Sequence, residues 1–207
     1  MTRIATQRNS LVDIRPDFLP DRGLPTAYIA GKKLTGLDIR RLGDRNPGAA
    51  NVYRSIGPAA GIAVAAIDIA KGSVALLLAR LIVDSTPAEM IAGVAVIAGH
   101  TWPVYFRLKG GRGAATAAGV LLAMMPALAI PLALLALVVL FLTKNAMKAL
   151  RFFFICLPLL AFWPAHYSNP LVIFSLGIPL MVGFTHYLSV RRQPVPDAGG
   201  EPTMPQG

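Results

Sequence analysis

The stretch Arg107–Gly119, RLKGGRGAATAAG, places three cations and four glycines between two strongly apolar segments. Glycine admits positive φ and a close backbone approach to a ligand. The amides of Gly110, Gly111 and Gly113 can form an anion nest at the start of a helix, where the dipole favours negative charge. Lys109 and Arg112 add whole charges, and the Arg112 fork can engage two phosphate oxygens at once. Thr116, one turn into that helix, adds a hydroxyl. The chemistry is recognition of a phosphate-type anion. Read alone, the same residues also suit a basic turn between apolar segments.

Three more polar groups accompany it. In DIRRLGDRNPGAANVYR, Asp38 to Arg54, the residues Asn46, Asn51 and Arg54 surround two glycines and a proline. Asparagine contributes directed hydrogen bonds and no charge, which a merely basic loop does not need. Asp68 and Lys71 lie three apart on one helix face, where a structural ion pair is the simpler reading. His186, in THYLSVRR, ends the last apolar run, while His100 and Trp102 precede the glycine-rich stretch. A lone interfacial His or Trp has a structural reading as well as a functional one.

Several chemistries lack their residues. There is no G-x-S-x-G elbow, no H-E-x-x-H and no G-x-x-x-x-G-K-[ST], and Thr116 stands where G-x-G-x-x-G needs its last glycine. No His is followed five positions later by Asp; those positions hold Tyr105, Leu171 and Arg191. Cys156 is the only cysteine, which excludes an internal disulfide and a cysteine-rich metal site.

The elements that must position these residues are helices in lipid. Of 207 residues 55% are hydrophobic and only 14% charged, against about 25% charged in soluble domains. The apolar runs predict an all-α, polytopic integral membrane bundle with six spans: Ile56–Val83, Ala88–Phe106, Gly113–Met125, Pro126–Thr143, Ala149–Ala165 and Pro170–Leu188. Leu24–Gly31 is apolar but too short to cross, and reads as an interfacial or partial helix. Residues 1–23 form a polar extension, 24–192 the membrane domain, and 193–207 a Pro/Gly-rich tail expected to be disordered. Net charge is +10, and its cations fall in short loops rather than among nucleic-acid-stacking aromatics. With six spans, Lys32 to Arg54, the glycine-rich stretch, Lys144 to Arg151 and Arg191–Arg192 share one face, while VDSTPAE and HYSNP on the other contain no Lys or Arg. That face is expected to be cytoplasmic, with both termini. His166 falls on the opposite face.

The segments DIRRLGDRNPGAANVYRSIG, DIAKG and GHTWPVYFRLKGGRGAAT, in this order, resemble the bacterial acyl-phosphate:glycerol-3-phosphate acyltransferase family, over roughly Pro25 to Arg192. The resemblance implies a small membrane enzyme making lysophosphatidic acid from glycerol 3-phosphate and an acyl-phosphate, without a metal or other cofactor. It implies catalytic roles for Asn46, Asn51 and His186. It implies phosphate binding by Arg54, Lys109, Gly110, Gly111, Arg112 and Gly113, with Arg112 in place of the usual Lys. Asp44, Asp68, Lys71, His100 and Ser189 are candidate supporting residues. Three departures stand out: Gly43-Asp44-Arg45-Asn46 replaces Gly-Ser-Gly-Asn, Ser189 replaces the Asn of a His-Arg-x-Asn motif, and the family's first span shrinks to Leu24–Gly31. A carboxylate beside a phosphate is repulsive unless Arg45 or another neighbour pairs it.

On this reading the acyl-phosphate is already activated, and the protein must position two anions and offset their repulsion. The departing phosphate or His186 would take the hydroxyl proton. A transporter or binding protein for a phosphorylated solute could use the same anion site, and an inactive homologue would keep its shape.

Overall fold

The computed structural model describes residues 26–104, 108–162 and 167–191. The polar extension 1–23, Leu24, Arg107, His166 and the tail from Gln193 lie outside the described residues.

The described chain is helical. After α1 (Thr26–Thr35) come a 3-10 turn (Ile39–Arg41), α2 (Ala49–Ser55), α3 (Pro58–Val83), α4 (Thr86–Thr101), α5 (Ala114–Met124), α6 (Pro126–Thr143), α7 (Ala146–Phe162) and α8 (Asn169–Arg191). Helices α3 to α8 fall within or close to the six expected spans, except that α4 ends at Thr101, short of the expected Phe106. α3, α6 and α8 are long and apolar enough to cross a membrane. Leu134, Leu137 and Phe141 on α6 are all more than half exposed, a surface suited to lipid rather than water.

α5 and α6 are separate helices because of Pro126. The α region is disfavoured for the residue before a proline, and Met125 adopts φ −133°, ψ 58°. Pro126 then opens α6 at its first turn, where the missing N–H costs nothing.

α5 has 11 residues, a rise of roughly 16 Å, about half the hydrocarbon thickness of roughly 30 Å. It is short because it begins beside the middle of α3. The Ser73 hydroxyl donates to the Gly119 carbonyl at 2.8 Å, and Arg80 Nη2 to that of Ala123 at 3.3 Å. A methyl group at Gly72 would strike the Thr116 carbonyl oxygen, and one at Gly119 that of Ile69. Small residues thus let the two backbones touch. Seven residues of α5 are buried, making it the axis of a core that gathers Leu76, Ile97, Leu121, Leu157 and Ile178.

Ahead of α5, the space along the first half of α3 is filled by the N-terminal segment. Ala27, Ile39, Val52 and Val64 form a second, smaller core. α1 dips onto the bundle, its Thr26 hydroxyl donating to Asp68 at 3.2 Å. At the far end, Arg80 clasps Glu89 in a bidentate pair at 2.9 and 2.7 Å, joining α3 to α4.

Candidate active site

Asn51 organises the first loop. It is fully buried, and its amide nitrogen faces the carbonyls of Ile39, Leu42 and Asn46 at 3.3, 2.9 and 3.0 Å. Its oxygen accepts from Ser55 at 3.0 Å. With both ends of the amide occupied by protein, Asn51 is a positioning residue, not the direct catalytic contact expected. Gly43 and Arg45 are left-handed, at φ 54° and 56°. A Cβ at Gly43 would collide with the Asn51 oxygen. The intervening Asp44 is thereby held outward.

Asp44 Oδ2 accepts from Arg54 Nη2 at 2.9 Å and from Arg112 Nη1 at 3.3 Å. Arg54 and Arg112 thus both pair with this carboxylate. Arg112 Nε faces the Ser189 hydroxyl at 3.4 Å, and its backbone carbonyl accepts from Thr185 at 2.8 Å. α2, the glycine-rich loop and α8 thus converge. The buried Nδ1 of His186 has no hydrogen-bond partner among the described residues, and its charged neighbours are Arg112, Arg151 and Asp44.

The glycines act differently from expectation. Of Gly110, Gly111 and Gly113, only Gly113, at φ 77°, is left-handed; it turns the chain into α5. The Gly110 amide is spent on the Thr101 carbonyl at 3.1 Å, so it does not join an anion nest. Cβ atoms at Gly110 and Gly111 would meet the His100 carbonyl and the His100 ring respectively. These two glycines are required for close packing on the end of α4. Thr116 departs too: its hydroxyl is buried between helices with no hydrogen-bond partner among the described residues, and it does not line the cleft.

That cleft, about 430 Å³, is bordered by Lys109, Gly110, Gly111, Asn46, Arg45 and Ser189. Arg40 and Arg41 also face it. Sequence reasoning treated both as topological charge, although two adjacent arginines beside the asparagine loop were a signal. Burial raises the Asp38 carboxyl, but hydrogen bonds and charge from Arg40 outweigh it and hold Asp38 below its ordinary range. Arg40 also lies over the Tyr28 ring, 5.2 Å from its centroid.

Asp68, Lys71 and His100 sit behind the loop. Lys71 Nζ pairs with Asp68 Oδ1 at 3.1 Å. His100 Nδ1 is 3.7 Å from the same oxygen, beyond hydrogen-bond reach, while its other edge abuts Gly111. They back the loop rather than line the cleft. Arg54 lines a separate, largely apolar groove of about 500 Å³, walled with it by Tyr53, Ile62, Leu137, Phe141 and Lys144. Sequence reasoning had not singled out this groove, whose walls come from runs indistinguishable from other lipid-facing surface.

Residues 23–193 match the family described as glycerol-3-phosphate acyltransferase. Glycerol-3-phosphate acyltransferase 4 of Dehalococcoides mccartyi is 40% identical over 81% of this chain and 90% of its own length. The glycerol-3-phosphate acyltransferase of a Thermoanaerobacter species is 36% identical over 80% and 83%. The fold is similar to the crystal structure of PlsY (YgiH), an integral membrane glycerol 3-phosphate acyltransferase, in its glycerol 3-phosphate form. That match has a TM-score of 0.68 and 29% identity over 82% of this chain and 86% of the other. The lysophosphatidic acid form gives 0.62 and 30%, over 81% and 87%. In sequence over nearly its whole membrane domain, and in the helical bundle that carries the cleft, this multi-pass chain belongs to the glycerol-3-phosphate acyltransferase family.

Proposed function

We propose that this chain transfers an acyl group from an acyl-phosphate to the 1-hydroxyl of glycerol 3-phosphate, at the cytoplasmic face of a bacterial cell membrane. The observation that carries the reading is the meeting of Arg54 and Arg112, from distant segments, beside a cleft edged by Lys109 and an apolar groove. Two anionic reactants need such a concentration of fixed positive charge to approach one another. Phosphate groups belong with Arg54, Lys109 and Arg112, and the acyl tail with the groove that Arg54 and Lys144 help to line.

The glycerol hydroxyl oxygen forms a bond to the acyl carbonyl carbon. The bond from that carbon to the phosphate oxygen breaks, and phosphate departs with the electron pair. The hydroxyl proton passes to the leaving phosphate, giving lysophosphatidic acid and inorganic phosphate. Asn46 borders the cleft and orients the hydroxyl, while His186, next to Arg112, stabilises the departing group. The Lys and Arg residues of the loops share this end of the bundle, which supports a cytoplasmic orientation.

The test uses purified protein in lipid with glycerol 3-phosphate and either acyl-phosphate or acyl-CoA. Lysophosphatidic acid is expected with acyl-phosphate alone; product from acyl-CoA alone, or from neither donor, overturns the reading.

A further inference from the structure

Asp44 stands between two arginines that the proposed reaction needs for phosphate. A single carboxylate oxygen takes both, at 2.9 Å from Arg54 and 3.3 Å from Arg112. It sits where an oxygen of a bound phosphate would meet the same two donors. The arrangement is shielded enough to persist, with Arg112 15% exposed and Asp44 29%. It is also reachable, since Arg54 is 53% exposed and can swing aside. The turn that carries Asp44 is rigid, because Asn51 bonds the carbonyls of both Leu42 and Asn46 on either side of it.

These facts oppose one another in the presence of substrate. Without an anion between them, two guanidinium groups repel; Asp44 offsets that repulsion in the empty site. When a phosphate arrives, the same carboxylate repels it and competes for both forks. We infer that Asp44 is an internal surrogate anion, which holds Arg54 and Arg112 together in the empty site and yields them to the substrate phosphate. It thereby sets both the affinity and the minimum charge of the anion admitted. The inference rests on the acyl-transfer reading of this site.

Selectivity follows from the exchange. A phosphate monoester dianion brings two charges and three oxygens, and so replaces one carboxylate oxygen with better-satisfied forks. A monoanion brings only the charge that Asp44 already supplies. Apparent affinity is the intrinsic affinity reduced by the fraction of molecules in which Asp44 has released the arginines.

Wild type, Asp44→Asn and Asp44→Ala are compared in lipid for the KM of glycerol 3-phosphate and the Ki of inorganic phosphate. A third measurement is the Ki of the glycerol 3-phosphate methyl ester, a monoanionic diester. In both variants KM and the phosphate Ki should fall on the order of tenfold, by that release fraction, and the diester Ki should fall by the same factor. An unchanged or raised KM in a folded variant makes Asp44 a structural clamp and overturns the inference. A wild type inactive with acyl-phosphate overturns the acyl-transfer reading instead. Calorimetric binding of inorganic phosphate then still decides the role of Asp44, tighter binding in the variants supporting it and equal or weaker binding refuting it. If neither variant folds, wild type decides alone. Phosphate binding at least about tenfold tighter than the diester supports the inference, and equal binding overturns it.

Discussion

The Thr185 hydroxyl lies 2.8 Å from the backbone carbonyl of Arg112, fastening α8 to the glycine-rich loop. The same hydroxyl lies 2.9 Å from the Val182 carbonyl, so its one proton is shared between its own helix and the loop. The loop cations are thereby positioned through backbone, not only through their side chains. Thr185→Val keeps the shape and removes the donor. It should lower kcat/KM about fivefold to tenfold, in line with a hydrogen bond worth about 1 kcal/mol, whereas Thr185→Ser should stay near wild type. Steady-state kinetics of both variants, with melting temperatures alongside, separate lost positioning from lost folding.

Arg112 should carry more. Arg112→Ala removes a fork that the reaction uses and should cut kcat/KM on the order of 100-fold; Arg112→Lys, retaining charge without bidentate geometry, should lose less. The control must be chosen with care. Arg80 is remote from the cleft, yet Arg80→Ala would strand Glu89, which is almost fully buried. That should lower stability on the order of 2 kcal/mol while leaving the KM of the surviving protein unchanged. Lys33, exposed on α1, is the neutral comparison. Equal activity in Arg112→Ala and Lys33→Ala would refute the placement of the phosphate.

Asn51 tests positioning against contact. Asn51→Asp is nearly isosteric but turns a donor toward three carbonyls into a carboxylate oxygen. It should destabilise the loop by roughly 3 kcal/mol and lower the melting temperature together with kcat. Ser55→Ala, which removes one bond to the Asn51 oxygen, should do the same more weakly. If Asn51→Asp loses turnover with an unaltered melting temperature, Asn51 touches the reaction after all.

The spans were legible because lipid demands long apolar runs and Pro126 biases the chain toward a break after Met125, although Pro131, Pro158 and Pro179 are carried inside helices. The gathering of cations at one end was legible for the same reason. What pairs them was not: Asp44 and Arg112 are 68 positions apart, and no local pattern announces that contact. Gly110 and Gly111 were misread because one letter serves two physical needs, left-handed backbone and absence of a side chain, and packing on α4 decided between them. Thr116 was assigned to the anion site because the register of α5 against α3, which buries it, cannot be read from either helix alone. The same register shortens α5.

That register gives a sharp contrast among glycines. At Gly119 a Cβ would collide with the Ile69 carbonyl, a backbone atom that cannot turn aside, whereas at Gly183 nothing lies within 4 Å. In an ordinary helix, replacing Gly with Ala stabilises by up to about 1 kcal/mol. Gly183→Ala should therefore hold or slightly raise the melting temperature. Gly119→Ala must push α5 from α3, breaking the bond from Ser73 and opening the buried core around Val120 and Leu121, with a cost of roughly 1–3 kcal/mol. Because α5 begins at the glycine-rich loop, the displacement should also reach Arg112, so kcat/KM should fall more than the loss of folded protein accounts for. Thermal unfolding and specific activity per folded molecule measure the two effects separately. A Gly119→Ala protein as stable and active as Gly183→Ala would mean that the two helices do not touch where the structure has them in contact.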